Sequence, residues 1–387
     1  DGRFLYPTKM VTFDNPLAYS VKPAQVAKDS EIERCIYKDV VDLSDVQSFC
    51  MGYGIPKRSR AVVWQLLLGY IPTRASDRGK ALRASRIQYY DYFDKYLSEK
   101  VPLTKQDRTM YNLVLVDAPR THPDGYHALF SKPSVQASLE RILYLWARNH
   151  PETSYYQGLN DLASIILVVF LECCLPDLAD VGKPGEEDLM DHLGLPSFES
   201  SFLASPEFSE SLDSALYCVE ADAYHCLTLI LSRVADFHLF SSGGVYSESM
   251  VVHFEEIVKR ADPELHAHLA NNDLMFIQFS FRWMLCFFTR ELETRNLVCL
   301  WDSYVVEPAG FPIFHLYVCA AYLIELRKLL LGKDMISMMG LLQHAPTGHY
   351  TKHDVHRLAQ GAADLSQRFP LNIRPLKHAS AQQAHNP

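Results

Sequence analysis

With 387 residues, 48% of them hydrophobic, the chain is long enough for two domains and a sizeable core, which rules out a disordered protein. A net charge of -9 and a pI near 6.0 argue against a nucleic-acid or anionic-membrane wrapping surface, since either partner calls for clustered lysine and arginine. Nine cysteines without a C-x-x-C pair, two of them adjacent at Cys173 and Cys174 in an apolar run, fit reduced thiols in a cytosolic protein.

Residues 1–48, broken by Pro7, Pro16 and Pro23, read as an extended arm. The first residue is Asp1 and no signal-peptide pattern follows, so a preceding segment with targeting information is expected. A helical pattern begins at Val46 and opens a first lobe over 49–175. Within it Arg60 and Trp64 lie at i and i+4 on one face, Trp64 as core and Arg60 as a local cap or pair. Residues 78–100 interleave Tyr89, Tyr90, Tyr92, Phe93 and Tyr96 with Asp91, Asp94 and Glu99. That suits a half-buried helix better than a nucleic-acid face.

The stretch 114–161 organises the chain. It opens V-L-V-D-A-P-R, and Pro119 disfavours helix at Ala118, so Arg120 is expected on a loop, with Asp117 near enough to hold it. Residues 134–149 place Val135, Leu139, Ile142, Leu143 and Trp146 at helical spacing, with Pro133 at the entry. Pro151 ends the connection, and Ser154-Tyr155-Tyr156-Gln157-Gly158 leads into the apolar run 162–171, a buried helix. Gln157 is expected where that helix begins, with Asn160 and Asp161 on its face, placed to hold the Arg120 loop.

Taken singly, Arg120 reads as a surface arginine paired with Asp117, and Gln157 as a helix-terminal residue making a local hydrogen bond. Taken together, an anchored guanidinium and an anchored amide are what phosphoryl transfer to water requires: one neutralises charge, the other orients the water. No G-x-x-x-x-G-K-[S/T] occurs anywhere, and Gly52-Tyr53-Gly54 is too short to cradle phosphate. Any nucleotide must therefore belong to a partner.

Residues 176–214 are rich in Pro, Gly, Ser and acidic residues, with Glu186-Glu187-Asp188 offset only by Lys183. They read as a mobile acidic insertion with a short helix near Leu189, its default role a solvated loop and its alternative a partner-docking segment. A second helical lobe is expected over 215–374, with breaks at 241–244 and at Pro263. Its runs 276–288 and 313–326, apolar on nearly all sides, belong inside the bundle. His344, His349, His353 and His356 form the one candidate metal cluster, but Pro346 and Gly348 interrupt it and no metal is expected there. Residues 375–387 read as a disordered tail. No run reaches the roughly 18 uninterrupted apolar residues of a membrane span, and no alternating strand-like runs recur. The expected fold is all-α, in two lobes.

Several separated motifs carry a resemblance. Val114-x-x-Asp117-x-x-Arg120 resembles the arginine-finger motif I-x-x-D-x-x-R of the TBC family of Rab GTPase-activating proteins, with Val for Ile. Tyr155-x-Gln157 is similar to its glutamine-finger motif Y-x-Q. Gly54-Ile55-Pro56, Arg60-x-x-x-Trp64 and Leu66-Leu67-Leu68-Gly69 resemble the family's opening helix. Glu220-Ala221-Asp222, Arg282-Trp283, Arg290-Glu291 and Leu300-Trp301-Asp302 resemble landmarks of its C-terminal half. Pro119-Arg120-Thr121 and 141–161 look most like the Golgi-associated yeast Ypt/Rab GAP and its animal relatives.

The resemblance implies a two-lobed all-α TBC domain that accelerates GTP hydrolysis on a Rab-family small GTPase in vesicle trafficking. Arg120 and Gln157 would be catalytic, with Asp117, Tyr155, Asn160, Asp161, Arg60 and Trp64 in support. It implies no cofactor of the chain's own, GTP and Mg²⁺ being carried by the GTPase. It also implies a cytoplasmic protein recruited peripherally to Golgi or other endomembranes. The rival reading is a Rab-binding helical scaffold without catalysis, against which the presence of both fingers counts; a hydrolase built on the C-terminal histidines is a weaker third.

Overall fold

The computed structural model describes residues 31–97, 103–175, 205–235, 248–307, 310–344 and 347–372. Among them every regular element is a helix, and the one β contact is an isolated bridge between Val40 and Arg74. The fold is all-α, as the lack of alternating runs requires. The chain divides into two compact units, residues 1–228 and 229–387. The expected insertion over 176–204, the arm over 1–30 and the tail after 372 lie outside the described residues.

In the first unit the helices are α1 (Glu31–Ile36), α2 (Leu43–Tyr53), α3 (Arg60–Leu68), α4 (Ala75–Tyr96), α5 (Lys105–Asp117), α6 (His127–Phe130), α7 (Pro133–Asn149) and α8 (Leu159–Cys174). The long α9 (Pro206–Ala235) follows. Two boundaries differ from the sequence expectation. Residues 31–48, assigned to an extended arm, form α1 and the start of α2, because Asp42 caps α2 by accepting from the Ser44 amide at 2.8 Å. Helix α9 begins at Pro206 rather than at 215. Ser205 accepts from the Phe208 amide at 3.1 Å and Pro206 takes the first helical position, a start signal hidden among the serines and prolines of the acidic stretch.

Helix α8 is buried continuously from Leu162 to Leu171, so it forms the axis of this unit. It packs on α7, whose apolar stripe includes Val135, Leu139, Ile142 and Trp146; α4 and α5 rest on α7, and α3 rests on α8. Two buried ion pairs tie α9 to this core. Arg86 grips Asp222 through Nε at 3.0 Å and Nη2 at 2.8 Å, and Arg141 grips Glu220 through Nε at 2.7 Å and Nη2 at 2.6 Å. The hydroxyls of Tyr70 and Tyr89 donate to Asp222 and Glu220 respectively.

The second unit comprises α10 (Glu248–Ala261), α11 (Pro263–Asn271), α12 (Phe276–Cys286), α13 (Thr294–Val306), α14 (Gly310–Glu325), α15 (Arg327–Leu330), α16 (Met335–Gln343) and α17 (Lys352–Arg368). Helix α14 is its centre, packed by α10, α13 and α17. Helix α12 is not interior on all sides: Ile277 and Phe281 remain over a third exposed, so it is amphipathic in place despite its apolar sequence. The turn after it carries Phe287 and Phe288 at φ 47° and 67°, a left-handed conformation rare for such residues. That turn is stitched in place by Trp301, which donates to the Phe287 carbonyl at 3.0 Å, and by Arg282, which pairs with Glu291 at 2.6 Å. His315, fully buried, bridges the Tyr304 hydroxyl and the Trp283 carbonyl, and burial pushes its imidazole down to about 3, so it stays neutral.

Candidate functional site

The site grows from the end of α5. A capping box between Thr104 and Asp107 starts this helix, and Asp107 also pairs with Arg148 of α7. Buried Met110 and Val114 seat it. At its other end the expected break does not occur. Ala118 keeps helical angles, φ -57° and ψ -45°, and the chain tightens into a 3-10 turn, Ala118–Arg120, in which Pro119 occupies an early position. Proline is tolerated there because the first residues of a helical turn need no amide donor. Arg120 is thus the last residue of a rigid turn packed on α7, not a loop residue.

Asp117 does not hold Arg120. Its Oδ2 accepts from the Tyr155 hydroxyl at 2.7 Å, and among the described residues Arg120 makes no ion pair or hydrogen bond. Burial, and then the bond to Asp117, push the Tyr155 phenol far above its ordinary range, so it remains a neutral donor. The chain leaving the turn is fixed in the same way. The Thr121 hydroxyl donates to the Asp117 carbonyl at 2.8 Å and accepts from Asn160 Nδ2 at 2.9 Å.

Gln157 lies outside helix α8. The N-cap is Gly158, at φ 110°, a conformation that strains any residue with a side chain, and the helix begins at Leu159. Asn160 and Asp161 are therefore not stacked above Gln157 on a helical face. Asn160 instead turns back: its Oδ1 accepts from the Gly158 amide at 3.1 Å, while its Nδ2 reaches Thr121 and Asp161 Oδ1. One buried amide thus ties the turn carrying Gln157 to the turn carrying Arg120. Both Arg120 and Gln157 are exposed to solvent on these clamped supports.

Of the other support residues, Trp64 is fully buried on α3. Arg60, 8% exposed, donates to the Ile55 carbonyl at 3.1 Å, in the connection before its own helix. Sequence reasoning missed Thr121, Tyr126 and Glu172. Glu172, buried near the end of α8, accepts from the Tyr126 hydroxyl and pairs with Lys57 at 2.6 Å. Tyr126 lies on the strand of chain returning from Arg120, so that return is held at Thr121 and again at Tyr126. Among the described residues no group of three or more His, Cys, Asp or Glu could hold a metal ion, and His344, His349, His353 and His356 are all exposed.

Asn160→Ala is expected to lower unfolding free energy by about 1–3 kcal/mol, because the Gly158 amide loses its acceptor in a buried place. Urea denaturation of the variant beside wild type measures it, and an unchanged midpoint would show that water replaces the side chain.

The first unit of this all-α chain thus carries an exposed arginine and an exposed glutamine, neither of them paired among the described residues, on two interlocked turns. Residues 57–331 match the Rab-GTPase-TBC domain, and the chain belongs to that family. Human TBC1 domain family member 22B is 32% identical over 356 residues, covering 91% of this chain and 64% of that protein. The Schizosaccharomyces pombe GTPase-activating protein gyp1 is 32% identical over 362 residues, covering 93% of this chain and 65% of that protein. The chain thus spans less than two thirds of the length of these curated relatives. The crystal structure of the Ypt/Rab-GAP domain of Gyp1p superposes with a TM-score of 0.72 at 30% identity, covering 88% of this chain and 97% of that one.

Proposed function

We propose that this chain is a GTPase-activating domain that accelerates GTP hydrolysis on a Rab-family small GTPase. Family membership and the similarity to proteins named as Ypt/Rab GTPase-activating proteins support it. The observation that carries it is geometric: Arg120 and Gln157 are exposed and make no ion pair or hydrogen bond among the described residues, yet the turns bearing them are locked together by the Tyr155–Asp117 and Asn160–Thr121 bonds. A surface ion pair would have engaged Asp117, and a local helix cap would have engaged Gln157. Groups kept free on rigid supports are pre-organised for a reaction partner.

In this reading Arg120 enters the GTPase site and stabilises charge developing on the γ-phosphate and the leaving oxygen. Gln157 orients the attacking water. GTP and Mg²⁺ come with the GTPase. No helix among the described residues is long and apolar enough to cross a membrane; recruitment to Golgi or other endomembranes is peripheral and works through the GTPase or through other segments.

The test is GTP hydrolysis by a panel of purified Rab-family GTPases, with and without this protein, wild type beside Gln157→Ala. One or a few GTPases are expected to be accelerated, with the variant lowering the saturating rate by about 10²-fold or more, the scale of losing one transition-state donor. Binding without acceleration of any GTPase would leave a helical scaffold in place of a catalyst.

A further inference from the structure

Glu172 is out of keeping with its surroundings. It is the lone charged residue between Leu162 and Cys174, it is buried, and it lies in the last turn of α8, where the helix dipole disfavours a carboxylate. Burial and the dipole both cost stability, and an apolar side chain would avoid both. What the carboxylate does there is join three segments. It accepts from the Tyr126 hydroxyl and pairs at 2.6 Å with Lys57, from the connection between α2 and α3, while its neighbour Cys173 donates to the Lys57 carbonyl at 3.2 Å. Tyr126, 1% exposed, closes the loop that leaves the Arg120 turn.

That loop is stiff. The Tyr126 amide donates to the Pro123 carbonyl at 2.9 Å, and the His122 and His127 rings stack 4.3 Å apart at 16°. Its first residue, Thr121, is bonded to Asn160 in the first turn of α8, and its last, Tyr126, to Glu172 in the last turn. The two anchors lie about 18 Å apart along one buried helix, at 1.5 Å per residue. A slip at either end is passed along the loop to Arg120, the residue next to Thr121.

We infer that Glu172 is a positioning residue for Arg120: through the Tyr126 hydroxyl it holds the far end of the loop into which the Arg120 turn runs, and Lys57 offsets its buried charge. This rests on the function proposed above and adds a residue to it. A guanidinium acting on a transferring phosphoryl group must be placed closely, an error of about an ångström costing about 10²-fold. A carboxylate that costs the fold twice over yet fixes this loop meets that demand, since local rules of stability are broken where function requires it.

The experiment compares full-chain Tyr126→Phe, Glu172→Gln and the all-apolar combination of Lys57→Met, Glu172→Leu and Tyr126→Phe with wild type, on those Rab-family GTPases that wild type accelerates. Saturating rate, half-saturating GTPase concentration and urea midpoint are measured. Affinity is measured for the GTPase in two loaded forms: with a non-hydrolysable GTP analogue, and with GDP and aluminium fluoride, which stands in for the transferring phosphoryl group. Tyr126→Phe and the triple variant are expected to lower the saturating rate about tenfold, part of the full cost of a misplaced group, with half-saturation within about twofold of wild type. Their affinity for the aluminium fluoride form should fall by a similar factor while that for the GTP-analogue form holds. Glu172→Gln still offers Tyr126 an acceptor and is expected to keep most of the rate. The urea midpoint of the triple variant should equal or exceed that of wild type, because a buried ion pair is replaced by apolar packing. Rate and stability then part company, which a merely structural role would not produce. Unchanged saturating rates in Tyr126→Phe and the triple variant overturn the inference. So does a Glu172→Gln rate as low as that of Tyr126→Phe, or an equal loss of affinity for both loaded forms. If the triple variant does not fold, Tyr126→Phe beside Glu172→Gln decides the matter. If wild type accelerates a GTPase and the variants match it, the proposed function stands and this inference alone falls; if wild type accelerates none, both fall.

Discussion

Arg120→Ala is expected to lose about 10³- to 10⁵-fold of the stimulated hydrolysis rate, about 4–7 kcal/mol of transition-state stabilisation, with no change in thermal unfolding. The separation follows from the structure. Arg120 is exposed and makes no ion pair or hydrogen bond among the described residues, so truncating it removes nothing that holds the fold. Its support is independent of it: Asp117 is bonded to Tyr155 and Thr121 to Asn160, and both bonds remain when the guanidinium is gone. Arg120→Lys should fare poorly too, since an ammonium on a flexible stem cannot reproduce the planar fork. Complex formation with a GTPase loaded with a non-hydrolysable GTP analogue is expected to persist in both variants. If binding disappears together with the rate, Arg120 is an affinity residue and its assignment to the transition state is wrong.

The sequence shows which residues face outward better than it shows how they are held. Arg120 and Gln157 are recognisable because their motifs are local and stand beside Asp117 and Tyr155. The all-α fold is legible because no period-2 runs compete with the helical ones. The hidden parts are of two kinds. Some are local rules with two readings: Pro119 is a helix breaker in an interior but is accepted in the first turn of a 3-10 segment, and only the conformation of Ala118 decides which applies. Others are long-range pairings. Asn160 with Thr121, Glu172 with Tyr126 and Lys57, and Glu220 with Arg141 join residues tens of positions apart. Nothing in the spacing of any one segment specifies them. The assumption that Asn160 stacks above Gln157 fails on a local point, since the N-cap is Gly158 and Gln157 lies outside the helix.

Glu220→Gln is the substitution expected to cost the fold most, about 3–5 kcal/mol, a large part of the roughly 5–15 kcal/mol that holds a domain together. The sequence marks Glu220-Ala221-Asp222 only as a landmark. In the structure Glu220 and Asp222 are 1% and 0% exposed, and each receives a two-pronged arginine and a tyrosine hydroxyl. Burial by itself would disfavour the charged Arg141 guanidinium, and the Glu220 carboxylate more than reverses this, holding it above its ordinary range. Neutralising Glu220 therefore strands a buried cation and leaves Tyr89 with a weaker acceptor. Removing both charges should be gentler than removing one, because the cost lies in the uncompensated ion and not in the missing attraction. Arg141→Met combined with Glu220→Met is thus expected to unfold in urea at a higher concentration than Glu220→Gln alone. A single variant within about 1 kcal/mol of wild type would show that water reaches the pair, since exposed pairs contribute no more than that. Neither residue belongs to the bonds that join the Arg120 and Gln157 turns. Under conditions where the variant stays folded, its saturating hydrolysis rate should accordingly equal wild type, so that the platform can be weakened without altering the chemistry it carries.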